Sequence, residues 1–188
     1  MSKTVRLHLI RHGETAAPWA QEPDPGLSEL GHQQAAEMAQ AMAPLGPLPL
    51  ISSTMQRTRE TAAPLAGEWR AEPRLEPRVA EIPGPAGSPD ERRAWLERML
   101  AARWPEVTAE LQDWRRGVLA ALHEIDRETV VVSHYVAINV AVAAARGDDR
   151  LICFKPSHCS HTVLDLRDGG IEVVALNDSA DGDLPLPG

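Results

Sequence analysis

The chain has 188 residues, 43% of them hydrophobic and 24% charged, with a net charge of −8. That size and balance suit one folded domain with its own core. The acidic excess disfavours general nucleic-acid binding, which needs clustered Lys and Arg against phosphates, and no stretch approaches the roughly 20 apolar residues of a membrane helix. Two cysteines, Cys153 and Cys159, are too few and too close in sequence for a disulfide framework. The first residues lack the succession of charged, long apolar and small-residue segments that marks a leader, so a soluble cytoplasmic protein is expected, binding neither nucleic acid nor membrane. Composition carries no signal of oligomeric state.

Val5 to Ile10 is a short β-rich run that stops at Arg11-His12-Gly13, which predicts a strand followed by a loop. After a Pro-rich segment, Ser28 is an N-cap candidate for a helix carrying Leu27, Leu30, Met38, Met42 and Leu45 at helical spacing. Leu48 to Ser52 predicts a second strand, and Met55, Thr58, Ala62, Leu65 and Trp69 mark a second amphipathic helix. The turn-rich residues 83–89 open an excursion containing two helical segments, Trp95 to Trp104 and a clearer stripe from Val107 to Ile125. Thr129 to Ser133 reads as a strand buried on both faces, followed by a Val/Ala-rich helix from Val136 to about Gly147. His161 to Arg167 and Ile171 to Leu176, around Asp168-Gly169-Gly170, have the form of a hairpin.

Strands alternating with helices predict a three-layer α/β/α domain over residues 1–178. Its central sheet is mostly parallel, with one antiparallel strand from the terminal hairpin. Residues 83–114 are a possible lid, and 179–188 a flexible tail. In such sheets ligands bind outside the carboxyl ends of the strands, which directs attention to Arg11-His12-Gly13, to Ser53 to Arg57 and to His134-Tyr135. His12 offers an imidazole nucleophile, Arg11 and Arg57 offer planar forks that match phosphate oxygens, and His134 adds a further donor. Arg57 also lies at a helix start, where free N–H groups favour an anion. Together these groups predict a phosphoryl pocket.

With these motifs the chain resembles the histidine phosphatase superfamily, the phosphoglycerate-mutase-like family. The resemblance rests on LHLIRHGET at 7–15, GLSELGHQQA at 26–35, SSTMQRTRETA at 52–62, Glu81, and VVVSHYVAIN at 130–139. It implies that His12 is phosphorylated, that Arg11, Arg57 and His134 bind the phosphoryl group, and that Glu81 is the acid/base. It also implies that neither a metal nor a cofactor is needed and that the partner is a small phosphorylated substrate. Two departures, Tyr135 where many members have Gly and Ala16-Ala17-Pro18 after Thr15, place Thr15 and Tyr135 at the substrate rim.

Hydrolysis of a phosphomonoester is the resulting expectation. Its rivals are mutase-like phosphoryl transfer, against which the shortness of residues 83–114 speaks, and a non-catalytic phospho-ligand binder, against which the joint presence of His12, His134 and Glu81 speaks. The S-H-C-S-H run at 157–161 is read as ordinary loop and strand, because adjacent ligands point apart and a fourth is missing. His8, His32 and His123 are given structural roles, and Trp95, Trp104 and Trp114 are weighed as lid or packing residues.

Overall fold

The structure, a computed structural model, describes residues 3–176, so the expected tail at 179–188 lies outside the described residues. The elements in order are β1 (Val5–Arg11), α1 (Glu29–Met42), β2 (Leu50–Ser52), α2 (Gln56–Trp69) and β3 (Arg74–Leu75). There follow α3 (Pro89–Ala101), α4 (Ala109–His123), β4 (Thr129–Ser133), α5 (Tyr135–Arg146), β5 (His161–Arg167) and β6 (Gly170–Ala175). The six strands form one sheet in the order β3-β2-β4-β1-β5-β6. β1, β2, β3 and β4 run parallel, while β5 is antiparallel to β1 and β6 to β5. Of the hairpin, β5 alone runs against β1–β4, the one antiparallel strand expected, while β6, antiparallel to β5, points the same way as β1.

Alternation along the strands builds two cores, because successive side chains leave opposite faces of a sheet. On one face Leu7, Leu9 and Val131 pack with Val118, Ala121 and Leu122 of α4 and with the apolar side of α5. On the other, Ile10, Val130 and Val132 meet Met38, Ala39 and Met42 of α1 and Ala62, Leu65 and Trp69 of α2. These two layers sandwich the sheet. A fully buried residue such as Leu65 contributes on the order of 2–5 kcal/mol against truncation to Ala.

One helix begins well before its expected start, and one short strand was not anticipated. The excursion helix starts at Pro89 instead of near Trp95, because Ser88 caps it reciprocally with Glu91. β3 has only two residues, both exposed, so it carries no apolar alternation to read.

The pairing register puts the strand ends level. Arg11 pairs with Ser133, and Ser52 with Val132. Two further bonds extend the ladders past the strands, from His12 N–H to Ser133 O at 3.1 Å and from Ser53 N–H to Val132 O at 3.1 Å. His12, Ser53 and His134 thus leave three adjacent strands at one edge.

Candidate active site

The loop after β1 is held by α1. Ser28 caps that helix, accepting from Gly31 N–H at 3.0 Å, and its own hydroxyl donates to Glu14 Oε1 at 2.7 Å. The approach is too close for side chains: a Cβ on Gly31 would lie 2.0 Å from Glu14 O, and one on Gly13 would lie 2.7 Å from Gly31 O. Gly13 N–H also donates to Thr61 Oγ1 of α2 at 3.0 Å. His12 is thereby fixed from both sides, while Glu14 is occupied in this framework.

His12 is fully buried. Its Nδ1–H donates to Gly13 O at 2.8 Å, which leaves the Nε2 lone pair free, and that buried atom has no protein partner. Burial, followed by the neighbouring His134, Arg11 and Arg57, holds its pKa well below the usual histidine range. A neutral imidazole with a free Nε2 is the nucleophilic form.

His134, 5.2 Å from His12 between ring centroids, contacts Ser53 Oγ through Nε2 at 2.7 Å and has a buried, unpartnered Nδ1. Burial first, then Arg57 and Arg11, lower its pKa well below normal. Arg11 is anchored by donating from Nη1 to Pro156 O at 3.0 Å and lies over the Tyr135 ring at 4.9 Å. Its Nε and Nη2, and Nε and Nη1 of Arg57, are buried without hydrogen-bond acceptors. Burial brings Arg11 down to about 10, still charged near neutrality. Buried donors without acceptors are costly and uncommon, and so many around His12 fit a multiply charged oxyanion.

Glu81 caps α5 from outside. Its Oε1 accepts from Val136 N–H at 3.1 Å and from Ile82 N–H at 2.9 Å. Burial raises its pKa, against the opposing pull of the Ile82 N–H, Arg57, the Val136 N–H and Arg11. A carboxyl raised in this way can hold and release a proton nearer neutrality than a free one.

All of His12, Arg11, Arg57, His134 and Glu81 therefore meet at one place. Thr15 lies nearby, half-buried, with its hydroxyl donating to Ala17 O at 2.9 Å. Tyr135 is a correction: its side chain is buried beneath Arg11 instead of standing at the rim, because it enters the first turn of α5 facing the core.

Three contributors have no role assigned by the sequence. Ser53 positions His134, and its place directly after β2 was the available signal. Asp24 accepts Gln56 N–H at 2.8 Å and lies 3.6 Å from Arg57 Nη1, tying the loop before α1 to the start of α2. His158, dismissed with its neighbours, packs 6.0 Å from His12 between ring centroids. His161 instead meets His8, Nε2 to Nδ1 at 2.8 Å. Among the described residues no group of three or more His, Cys, Asp or Glu is placed to share a metal ion. No helix there is long and apolar enough to cross a membrane.

Residues 83–114 hold α3, a short 3-10 turn and the first turns of α4. Trp95 meets Trp19 at 6.1 Å, and Arg92 Nε donates to Ala20 O at 2.8 Å, so α3 closes onto the loop that follows Gly13. Trp104 and Trp114 stack on each other at 6.3 Å. The Trp104 N–H bonds Asp149 O, beyond the end of α5 that lies away from His134. They are packing residues.

The model of the histidine phosphatase superfamily (branch 1) matches residues 7–179. The chain belongs to this superfamily. A probable phosphoglycerate mutase of Erwinia tasmaniensis is 30% identical over 162 residues, 76% of this chain and 75% of that protein. A glucosyl-3-phosphoglycerate phosphatase of Mycolicibacterium vanbaalenii is 28% identical over 170 residues, 76% of this chain and 74% of its own. A further match, 37% identical over 86 residues, makes up 15% of a PE-PGRS family protein of Mycobacterium tuberculosis, so there this chain spans a small part of a longer relative. Among solved histidine phosphatase structures, mycobacterial glucosyl-3-phosphoglycerate phosphatase with inorganic phosphate superposes with a TM-score of 0.72 at 25% identity. That alignment covers 94% of this chain and 98% of the other.

Proposed function

We propose that this histidine phosphatase superfamily member hydrolyses phosphomonoesters of small metabolites through a phosphohistidine on His12. The observation that carries the reading is the buried His12 Nε2, free of protein partners among the unmatched donors of Arg11, Arg57 and His134. In the first step Nε2 attacks phosphorus in line as the ester P–O bond breaks. The two guanidinium groups and His134 stabilise charge on the equatorial oxygens. The Glu81 carboxyl gives its proton to the departing alkoxide, then as carboxylate takes a proton from the water that attacks the P–N bond. Inorganic phosphate leaves, and both residues return to their starting protonation. The role a metal plays in other phosphatases falls to the guanidinium and imidazole groups.

Relatives named as a mutase and as a phosphatase match at nearly equal identity, so the fate of the phosphoryl group is the point to test. Purified protein given p-nitrophenyl phosphate should release inorganic phosphate, retain activity in EDTA, and form an acid-labile phosphoprotein that His12→Ala abolishes. Phosphoryl transfer to an added alcohol with little free phosphate would establish the mutase reading instead. Absence of any phosphoprotein from a panel of phosphorylated metabolites would favour a non-catalytic binder. Among substrates, phosphoglycerate-type esters are the first to try, because the named relatives carry that chemistry in their names.

A further inference from the structure

Among the described residues His158 packs against the proposed nucleophile, and the proposed reaction assigns it no work. His158 belongs to the loop at 156–160, whose Cys159 packs against the cluster built with α1 and α2. That loop is bound to the nucleophile's own backbone: Cys159 N–H donates to Arg11 O at 3.0 Å, and Arg11 N–H donates to Ser160 O at 3.3 Å. Pro156 O receives Arg11 Nη1. Cys159 has φ +54°, a left-handed conformation unfavourable for a residue with a Cβ. Such strain persists where surrounding contacts enforce it, and it clusters at functional sites. Here the turn accompanies a His158 ring packed against His12 at 6.0 Å and 45°, with a buried Nε2 that has no hydrogen-bond partner.

We infer that His158 is a substrate-contacting residue whose Nε2–H donates to an oxygen of the phosphoryl group held by Arg11. The inference rests on the phosphoryl-pocket reading above and adds a ligand to it. Two observations favour an oxyanion over other partners. The Arg11 charge acts on the His158 ring, and His158 Nε2 and Arg11 Nε and Nη2 all lack partners, so one acceptor reaching them would satisfy several buried donors together. Burial and the Arg11 charge also bring the His158 pKa down to about 3. The ring therefore stays neutral near neutrality and supplies a donor without a third full positive charge beside a nucleophile that must itself remain unprotonated.

The test measures oxyanion binding, which needs no turnover. Inorganic phosphate is titrated calorimetrically into the wild type and into His158→Leu, which keeps similar bulk without a donor, and His158→Gln, whose amide N–H reaches about as far as Nε2. Leu should weaken phosphate binding by about tenfold, the scale of one hydrogen bond to a charged acceptor, and Gln should restore most of it. His158→Asn, whose amide falls short, should behave like Leu and serves if Leu does not fold. The advantage of wild type over Leu should be constant from about pH 5 to about pH 8, since a neutral ring does not titrate there.

Equal phosphate affinity in wild type and Leu, equal losses in Leu and Gln, or an advantage that grows as pH falls would overturn the assignment. The two readings fail separately. Phosphate binding that depends on His158 in a protein without hydrolytic activity would leave this inference standing and remove the phosphatase. Hydrolysis with phosphate affinity indifferent to residue 158 would do the reverse.

Discussion

The Ser53 hydroxyl lies 2.7 Å from Nε2 of His134, and Thr58 Oγ1 lies 2.8 Å from the same Ser53 oxygen. Thr58 Oγ1–H also has Met55 O at 2.8 Å as an acceptor; where Ser53 donates to Nε2, His134 carries its proton on Nδ1, the nitrogen without a partner. Donation from Ser53 to Nε2 is the arrangement in which His134 can donate to a phosphoryl oxygen. Ser53→Ala should mix the two neutral tautomers, visible in the ¹⁵N shifts of His134, and lower kcat/KM by about tenfold, the size of one hydrogen bond. An unchanged ¹⁵N pattern would show that Ser53 does not set the tautomer.

Glu81 should matter in proportion to the basicity of the leaving group. In single-turnover phosphorylation, Glu81→Gln should cost about 10²–10⁴ with an alkyl phosphate and far less with p-nitrophenyl phosphate, whose leaving group needs no proton. Wild-type kcat/KM should fall as pH rises through the raised pKa of Glu81, above the ordinary carboxylate value of about 4.3. The Gln variant should lack that limb. Equal losses for both substrates would exclude Glu81 as the proton donor.

Gly31 and Gly117 offer opposite outcomes from one substitution. A Cβ at Gly31 would meet Glu14 O at 2.0 Å, whereas at Gly117, inside α4, nothing lies within 4 Å. Gly117→Ala should stabilise the protein by about 0.5–1 kcal/mol through helix propensity. Gly31→Ala must push the loop after β1 off α1, and should lower both the melting temperature and kcat. Denaturant titration beside activity assays reads both effects.

Stability should fall on mild acidification. His12, His134, His158 and His161 all have pKa values below the ordinary one, burial being the first cause in each case. The unfolded chain therefore binds more protons as pH drops below about 6.5, and each group then costs up to about 1.4 kcal/mol per pH unit. Glu81 acts in the opposite sense, since its raised pKa makes the fold bind a proton more readily than the open chain. With four groups against one, the melting temperature should decline between about pH 7 and about pH 5, and less steeply in His134→Asn. A flat profile would contradict the low histidine pKa values.

Most of the fold was legible because its signals are local. Val5 to Ile10, the Thr129 to Ser133 run and the stripes of α1, α2 and α4 each declare their period within one element. The five residues that meet at the site were legible through their positions directly after strands and through the family motifs. What escaped depended on contacts distant in sequence. His158 lies 146 positions from His12 and reaches it only because β5 folds back beside β1. Tyr135 was misplaced because its orientation follows from the first turn of α5, and Asp24 because an acidic residue in a Pro-rich loop has no periodicity.

The level strand ends carry a practical meaning. The separation of His12 and His134 is set by the pairing of β1 with β4, whereas α3 reaches the loop after Gly13 mainly through side chains, Trp95 to Trp19 and Arg92 to Ala20. On the proposed reading, the strands set the reaction and α3 the choice of alcohol. A chimaera that exchanges the segment between Glu81 and α4 for a relative's should inherit the donor's choice of alcohol while its rate of histidine phosphorylation by a small aryl phosphate stays close to the parent's.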